Sequence, residues 1–228
     1  MTLLLRLFRT SAVIGFIFSL LSVEAFSQTT HLHLLVNAVN TNFNYGKSNS
    51  SLQPYKKNTT GLQLGATFQA GISPAFSVVT EAYFMIKGGT LKAGNPLTVN
   101  KSTLRVYTAE LPVLARLHIG RVYFNSGPYV SYTFEGRIKT EGSASMAEKS
   151  ANLSFDNSAD GFKRWEMGIQ AGAGYVFDLK KASLALDVRY GYGLTNLSQD
   201  VERYNRMLNI SVLVFRNWKK NPFFKNQQ

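Results

Sequence analysis

Residues 61–73 read GLQLGATFQAGIS. Leu62, Leu64, Ala66, Phe68, Ala70 and Ile72 take every even position. Gly61, Gln63, Gly65, Thr67, Gln69, Gly71 and Ser73 take every odd one. Successive side chains of a strand point to opposite faces, so this period of two predicts a β-strand with one apolar and one polar or small face. Which face looks inward decides the fold. In a soluble sheet the apolar face makes the core. In an outer-membrane barrel it meets lipid and the polar face lines the inside.

The pattern recurs along the chain. In 75–87, Phe76, Val78, Ala82, Phe84 and Ile86 oppose Ser77, Glu81 and Lys87. In 105–119, Tyr107, Ala109, Leu111, Val113, Ala115 and Leu117 oppose Thr108, Glu110, Arg116 and His118. In 122–138, Val122, Phe124, Val130, Tyr132, Phe134 and Ile138 oppose Asn125, Ser131, Thr133, Glu135 and Arg137. The stretches 164–178, 184–195 and 207–215 alternate likewise, and 31–45 does so least regularly. These make eight strands, an even number and the smallest transmembrane barrel. Long connections (46–60, 88–102, 140–161) alternate with short ones (73–75, 120–121, 179–182), and 197–204 is intermediate. Long extracellular loops and short periplasmic turns have this rhythm, which places both termini in the periplasm. The expected fold is all-β, an eight-stranded antiparallel up-and-down transmembrane β-barrel.

A cleavable signal peptide precedes it. Arg6 and Arg9, an apolar run from Ala12 to Val23, and Ala25 and Ser27 before the cut give a signal peptide over 1–27. The barrel domain follows over 28–218, and a basic periplasmic tail over 219–228. The 228-residue chain has no cysteine, which excludes disulfides and a lipid-anchored cysteine. Its formal charge is +12. In an exported chain this points to anionic lipid and lipopolysaccharide, not to nucleic acid.

Lysine bears on the opening question. Lys47, Lys56, Lys57, Lys92, Lys101 and Lys149 fall in predicted loops, and Lys87, Lys139 and Lys163 at predicted strand ends. The charges inside strands are Glu81, Glu110, Glu135, Glu166 and Asp187 with Arg116, Arg137 and Arg189. Carboxylates facing guanidinium forks, interleaved with glycine, suit a narrow enclosed lumen. These eight residues are expected to form a charge network that closes it. Glu81, Arg116, Asp187 and Arg189 are expected toward the periplasmic half, Glu135, Arg137 and Glu166 toward the outer half, and Glu110 between them. Aromatics near strand ends, among them Phe76, Tyr107, Phe134, Trp165, Tyr175, Phe177, Tyr192 and Trp218, suit interfacial girdles. Lys139, Lys163 and Arg164 are expected at the outer rim, facing lipopolysaccharide phosphates. The rival reading is a periplasmic lipocalin-like barrel with the apolar face inward around a greasy ligand.

The stretches EAYFMIKGG (81–89), YTAELPVLAR (107–116), GPYVSY (127–132), GIQAGAGYVF (168–177) and RYGYGLTNL (189–197) resemble the PorT-like outer-membrane β-barrel family of Bacteroidota. The resemblance implies an eight-stranded outer-membrane barrel. One family member is tied to secretion, a role the resemblance does not carry over by itself; other envelope or secretion proteins stand as candidate partners. The chain departs from the family in a first strand poor in glycine and in the extension RNWKKNPFFKNQQ. Either Phe215 or Phe223–Phe224 closes the last strand.

Motifs for catalysis are sparse. His31-x-His33 places two imidazoles on one strand face without an identifiable third ligand. His118 shares the inward face with Arg116 and reads as a hydrogen-bonding group. The glycines of GIQAGAG (168–174) repeat at strand spacing with no helix pattern after them, unlike a phosphate loop. A non-enzymatic barrel without cofactor or metal is therefore the expectation. The enzymatic alternative is a small lipid A-modifying barrel using His and Ser.

Overall fold

A computed structural model describes residues 30–142, 147–156, 158, 161–179 and 182–216. The expected signal peptide, the basic tail, Trp218 and the Lys180–Lys181 pair lie outside the described residues. Among the described residues there are ten strands: β1 (Thr30–Tyr45), β2 (Lys56–Lys57), β3 (Thr59–Ser73), β4 (Phe76–Leu91), β5 (Ser102–Ile119), β6 (Val122–Thr140), β7 (Lys149–Asn152), β8 (Trp165–Asp178), β9 (Ala182–Gly193) and β10 (Arg203–Arg216). The eight long strands form a closed ring, β1-β3-β4-β5-β6-β8-β9-β10, and β10 returns to β1 through Val39↔Asn209 to Tyr45↔Arg203. Every neighbouring pair is antiparallel. The short β2 and β7 add to β4 and β6 at the end that carries the long connections. A 3-10 segment, Lys47–Tyr55, folds over the same end.

The polar face is inside. In β3, Gln63 is 0% exposed while Leu64 is 54% exposed. Leu62, Phe68 and Ile72 join Leu64 on the outside, as do Leu111, Val113, Met167, Ile169, Val188, Ile210 and Val212 on other strands. This excludes the lipocalin-like reading, which requires the apolar faces to meet in the interior. The first strand alternates poorly because both its faces are apolar. Leu34 and Val36 point out, while Leu35 and Val39 point into the lumen.

Strands run further toward the long loops than the alternation predicts. The β4–β5 ladder continues through Lys87↔Val106 to Leu91↔Ser102. Lys87, expected at a strand end, is therefore within the barrel and buried. In β10, Phe215 pairs with Ser183 of β9, so it lies in the ladder. Phe223 and Phe224 lie outside the described residues.

One expectation fails for a local reason. Glu135 and Arg137 face outward and are exposed. The β5–β6 register passes from Thr108↔Thr133 directly to Tyr107↔Glu135, leaving Phe134 as the extra residue of a β-bulge. An extra residue shifts the parity of everything beyond it. Gly136 and Ile138 turn inward, and Glu135 and Arg137 leave the expected lumen network. The bulge carbonyls are held from the residue that precedes β8: Arg164 Nη1 donates to Thr133 O at 3.0 Å and to Phe134 O at 2.9 Å.

Cysteine labelling of the folded protein checks this inversion. With Glu135→Cys and Thr133→Cys, a polar maleimide is expected to modify position 135 readily and leave position 133 protected. An uninterrupted strand gives similar protection at both.

Candidate functional site

Among the described residues the interior holds two charged networks at different heights. Nearer the short turns, Arg189 of β9 donates from Nη1 and Nη2 to the two carboxylate oxygens of Glu81, each at 2.8 Å, and from Nε to Asp187 at 2.5 Å. Asn125 donates to the other Asp187 oxygen at 2.9 Å and accepts from Arg116 Nε at 2.7 Å. Arg116 Nη1 donates to Gln69 at 2.8 Å, and its guanidinium lies 4.2 Å from the centroid of the Tyr123 ring. Ser77 Oγ and His118 Nε2 are 2.9 Å apart at the end of this chain of contacts. Two carboxylates thus meet the Arg189 guanidinium, and Asn125 links Asp187 to that of Arg116, in a space almost sealed from solvent.

Nearer the long loops, Lys87 Nζ donates to Glu166 at 2.7 Å, to Glu110 at 3.0 Å and to Ser131 at 3.3 Å. Neutral donors complete the carboxylates. Tyr83 and Gln170 donate to Glu110 at 2.9 and 2.7 Å, and Tyr129 and Asn205 to Glu166 at 2.6 and 2.8 Å. Buried charge is tolerated when it is paired and its remaining lone pairs are filled, and both conditions hold here.

Of the eight expected interior residues, six therefore lie in these networks: Glu81, Arg116, Asp187 and Arg189 in one, Glu110 and Glu166 in the other. Glu135 and Arg137 lie outside the barrel. Lys87 is the member that sequence reasoning missed, although its position in the alternation already put it on the polar face.

Glycines on β8 make the space. A Cβ at Gly172 meets Arg189 Cγ at 2.5 Å, and one at Gly174 meets the Tyr123 ring at 2.1 Å. The glycines of GIQAGAG thus set the approach of neighbouring side chains. Apolar groups take up much of the remaining interior. Leu35, Val39, Met85, Met207 and Leu213 cluster against one wall. Phe43, Leu52, Leu91, Leu104, Phe162, Leu197 and Val201 form a second cluster toward the long loops.

The expected rim residues differ from one another. Lys139 is exposed and pairs with Glu148 at 2.9 Å. Lys163 is exposed. Arg164 is committed to the bulge carbonyls and lies 4.1 Å from the Phe155 ring centroid. The bulge adds a different group, because Arg137 stands directly opposite Arg105 on the outer face. Below them, Tyr132 packs against Phe134 and Trp165, with ring centroids 5.3 and 4.9 Å away.

Replacing Arg189 by methionine leaves Glu81 and Asp187 enclosed without their partner. A loss of about 3–5 kcal/mol is expected, read by urea unfolding in lipid vesicles. Wild-type stability in the variant refutes a structural role for this clamp.

The sequence model described as "Outer membrane protein beta-barrel domain" matches residues 26–199. No curated protein matches. Among solved structures, Ail of Yersinia pestis shares 12% identity, with 81% of this chain and 97% of that chain covered and a TM-score of 0.42. Neisserial surface protein A shares 10%, covering 82% and 99%, with a TM-score of 0.44. OprG of Pseudomonas aeruginosa shares 14%, covering 85% and 98%, with a TM-score of 0.38. The family match spans well over half of the 228 residues, and the chain belongs to the outer membrane protein β-barrel domain family.

Proposed function

We propose that this chain is a non-enzymatic outer-membrane barrel that acts through its surfaces, as a structural or interaction module, with nothing passing through its lumen. The observation that carries this reading is the filled interior: the two hydrogen-bonded ionic networks reach across the lumen between strands far apart in the chain. An eight-stranded ring has room for little beyond its own side chains. The reading orients the long connections outward and both termini toward the periplasm. It also keeps the PorT-like resemblance, with envelope or secretion proteins as partners of the outer loops.

The partner on the lipid side is lipopolysaccharide. Like charges directly opposite on a sheet face repel, and Arg105 and Arg137 stand so. A phosphate between them converts that repulsion into two charge-assisted contacts. Lys139 and Lys163 extend the same basic rim, above the Tyr132–Phe134–Trp165 aromatic group. On this reading the phosphate lies at the interface where such girdles sit.

A lipid A-modifying enzyme fits less well. Ser77 and His118 have the spacing of a nucleophile and its base. Ser77, however, is 0% exposed, and Gln69 already donates to its hydroxyl at 3.2 Å, which leaves no approach for an ester carbonyl.

Two measurements test the proposal. Arg105→Glu with Arg137→Glu is expected to reduce lipopolysaccharide co-purifying with the barrel several-fold, while Arg121→Glu at a short turn leaves it unchanged. Equal losses in both reject the rim site. In planar bilayers the wild-type protein is expected to give no large, stable conductance, and an open channel of steady size overturns the filled lumen.

A further inference from the structure

Above the Lys87 network, at the long-loop end of the lumen, lies a cavity of about 220 Å³. Its walls include Phe43, Leu91, Leu97, Leu104 and Ile138, with Arg203 among them. Arg203 is 9% exposed. Its Nε is enclosed without a hydrogen-bond partner among the described residues, and it forms no ion pair among them. The guanidinium carbon lies 5.0 Å from the centroid of the Phe162 ring. Every other deeply buried cation of the interior networks finds oxygen acceptors at hydrogen-bond distance: Lys87, Arg116 and Arg189. Arg203 is the exception, and it lines a hollow whose largely apolar walls also carry Tyr45, Thr98, Ser102 and Thr140.

We propose that this hollow binds a small amphipathic anion, a short acyl chain or aromatic ring carrying one carboxylate. The tail occupies the space between Phe43, Leu91, Leu104 and Ile138, and the carboxylate meets Arg203. Asp200 acts on this guanidinium only from beyond ion-pair distance and its Nε donor is unfilled, so an incoming carboxylate gains more here than at a solvated arginine. The size is suitable, since an apolar cavity of about 150 Å³ already accepts benzene. The backbone of Arg203 is fixed independently of its side chain. Its N–H donates to Asn196 Oδ1 at 2.9 Å, and its carbonyl accepts from Leu197 N at 3.0 Å. Changing the side chain therefore alters the ligand contact and spares the strand.

The test uses the full-length barrel in lipid nanodiscs, titrated calorimetrically with octanoate and with octanol, with empty discs subtracted. Octanoate is expected to bind saturably at one site and octanol about tenfold more weakly, the difference a charged hydrogen bond makes. Arg203→Met is expected to bring octanoate down to the level of octanol, and Arg203→Lys to retain part of the difference. Heat-modifiable gel mobility confirms that each variant is folded. The proposal is overturned if wild-type protein binds octanoate no better than octanol, if it shows no saturable octanoate binding, or if folded Arg203→Met binds octanoate like wild type. The first two outcomes need no variant, so a misfolded substitution leaves the proposal open to refutation.

Discussion

Arg189 is gripped on two sides inside a ring of eight strands, by both oxygens of Glu81 and by one of Asp187. The ring leaves little solvent to substitute for a missing partner, so the surrounding strands are arranged to satisfy these groups. Asn125 completes Asp187, and Arg116 in turn holds Asn125. Gly172 lies where it does because the stem of Arg189 occupies the place of its side chain. The same demand recurs around Lys87, where tyrosine hydroxyls and amides make up for a single ammonium shared by two carboxylates. Closure of the barrel and satisfaction of its charges are one constraint: an open sheet exposes these groups to water, and a wider one lets them drift apart.

Much of this was legible in the sequence, for a definite reason. The lipid face and the lumen face make opposite chemical demands, and a strand must display them alternately. Residues 61–73 therefore reveal both the strand and, together with the lysine distribution, its orientation. Glu81, Arg116, Asp187 and Arg189 could be grouped because their strands start or end at the same short turns, so chain position translates directly into height. Lys87 was missed because strand ends are set by ladder pairing, and Leu91↔Ser102 carries that pairing past the last clear alternation. The second apolar cluster escaped for a related reason. Leu52, Phe162, Leu197 and Val201 come from connections, which carry no period to read.

The bulge at Phe134 was invisible for another reason. In TFEGRIK, Phe134 and Ile138 look like members of one face, and Glu135 and Arg137 look like members of the other. Local sequence offers no mark of the extra residue. Its cause lies on the next strand's approach, where Arg164 reaches across to the carbonyls of Thr133 and Phe134. A guanidinium that looked like a surface charge proves to be a brace for backbone groups that the ladder leaves over.

That bulge makes β6 two half-strands in opposite phase. On the short-turn side, odd-numbered positions such as Tyr123, Asn125 and Ser131 answer to the crowded interior. Beyond Phe134, even-numbered positions such as Gly136 and Ile138 do. The rules of substitution change hands in the middle of one continuous element. Outward positions are even-numbered and meet lipid in one half, odd-numbered and charged in the other, which lets a single strand serve the lumen below and a basic outer surface above.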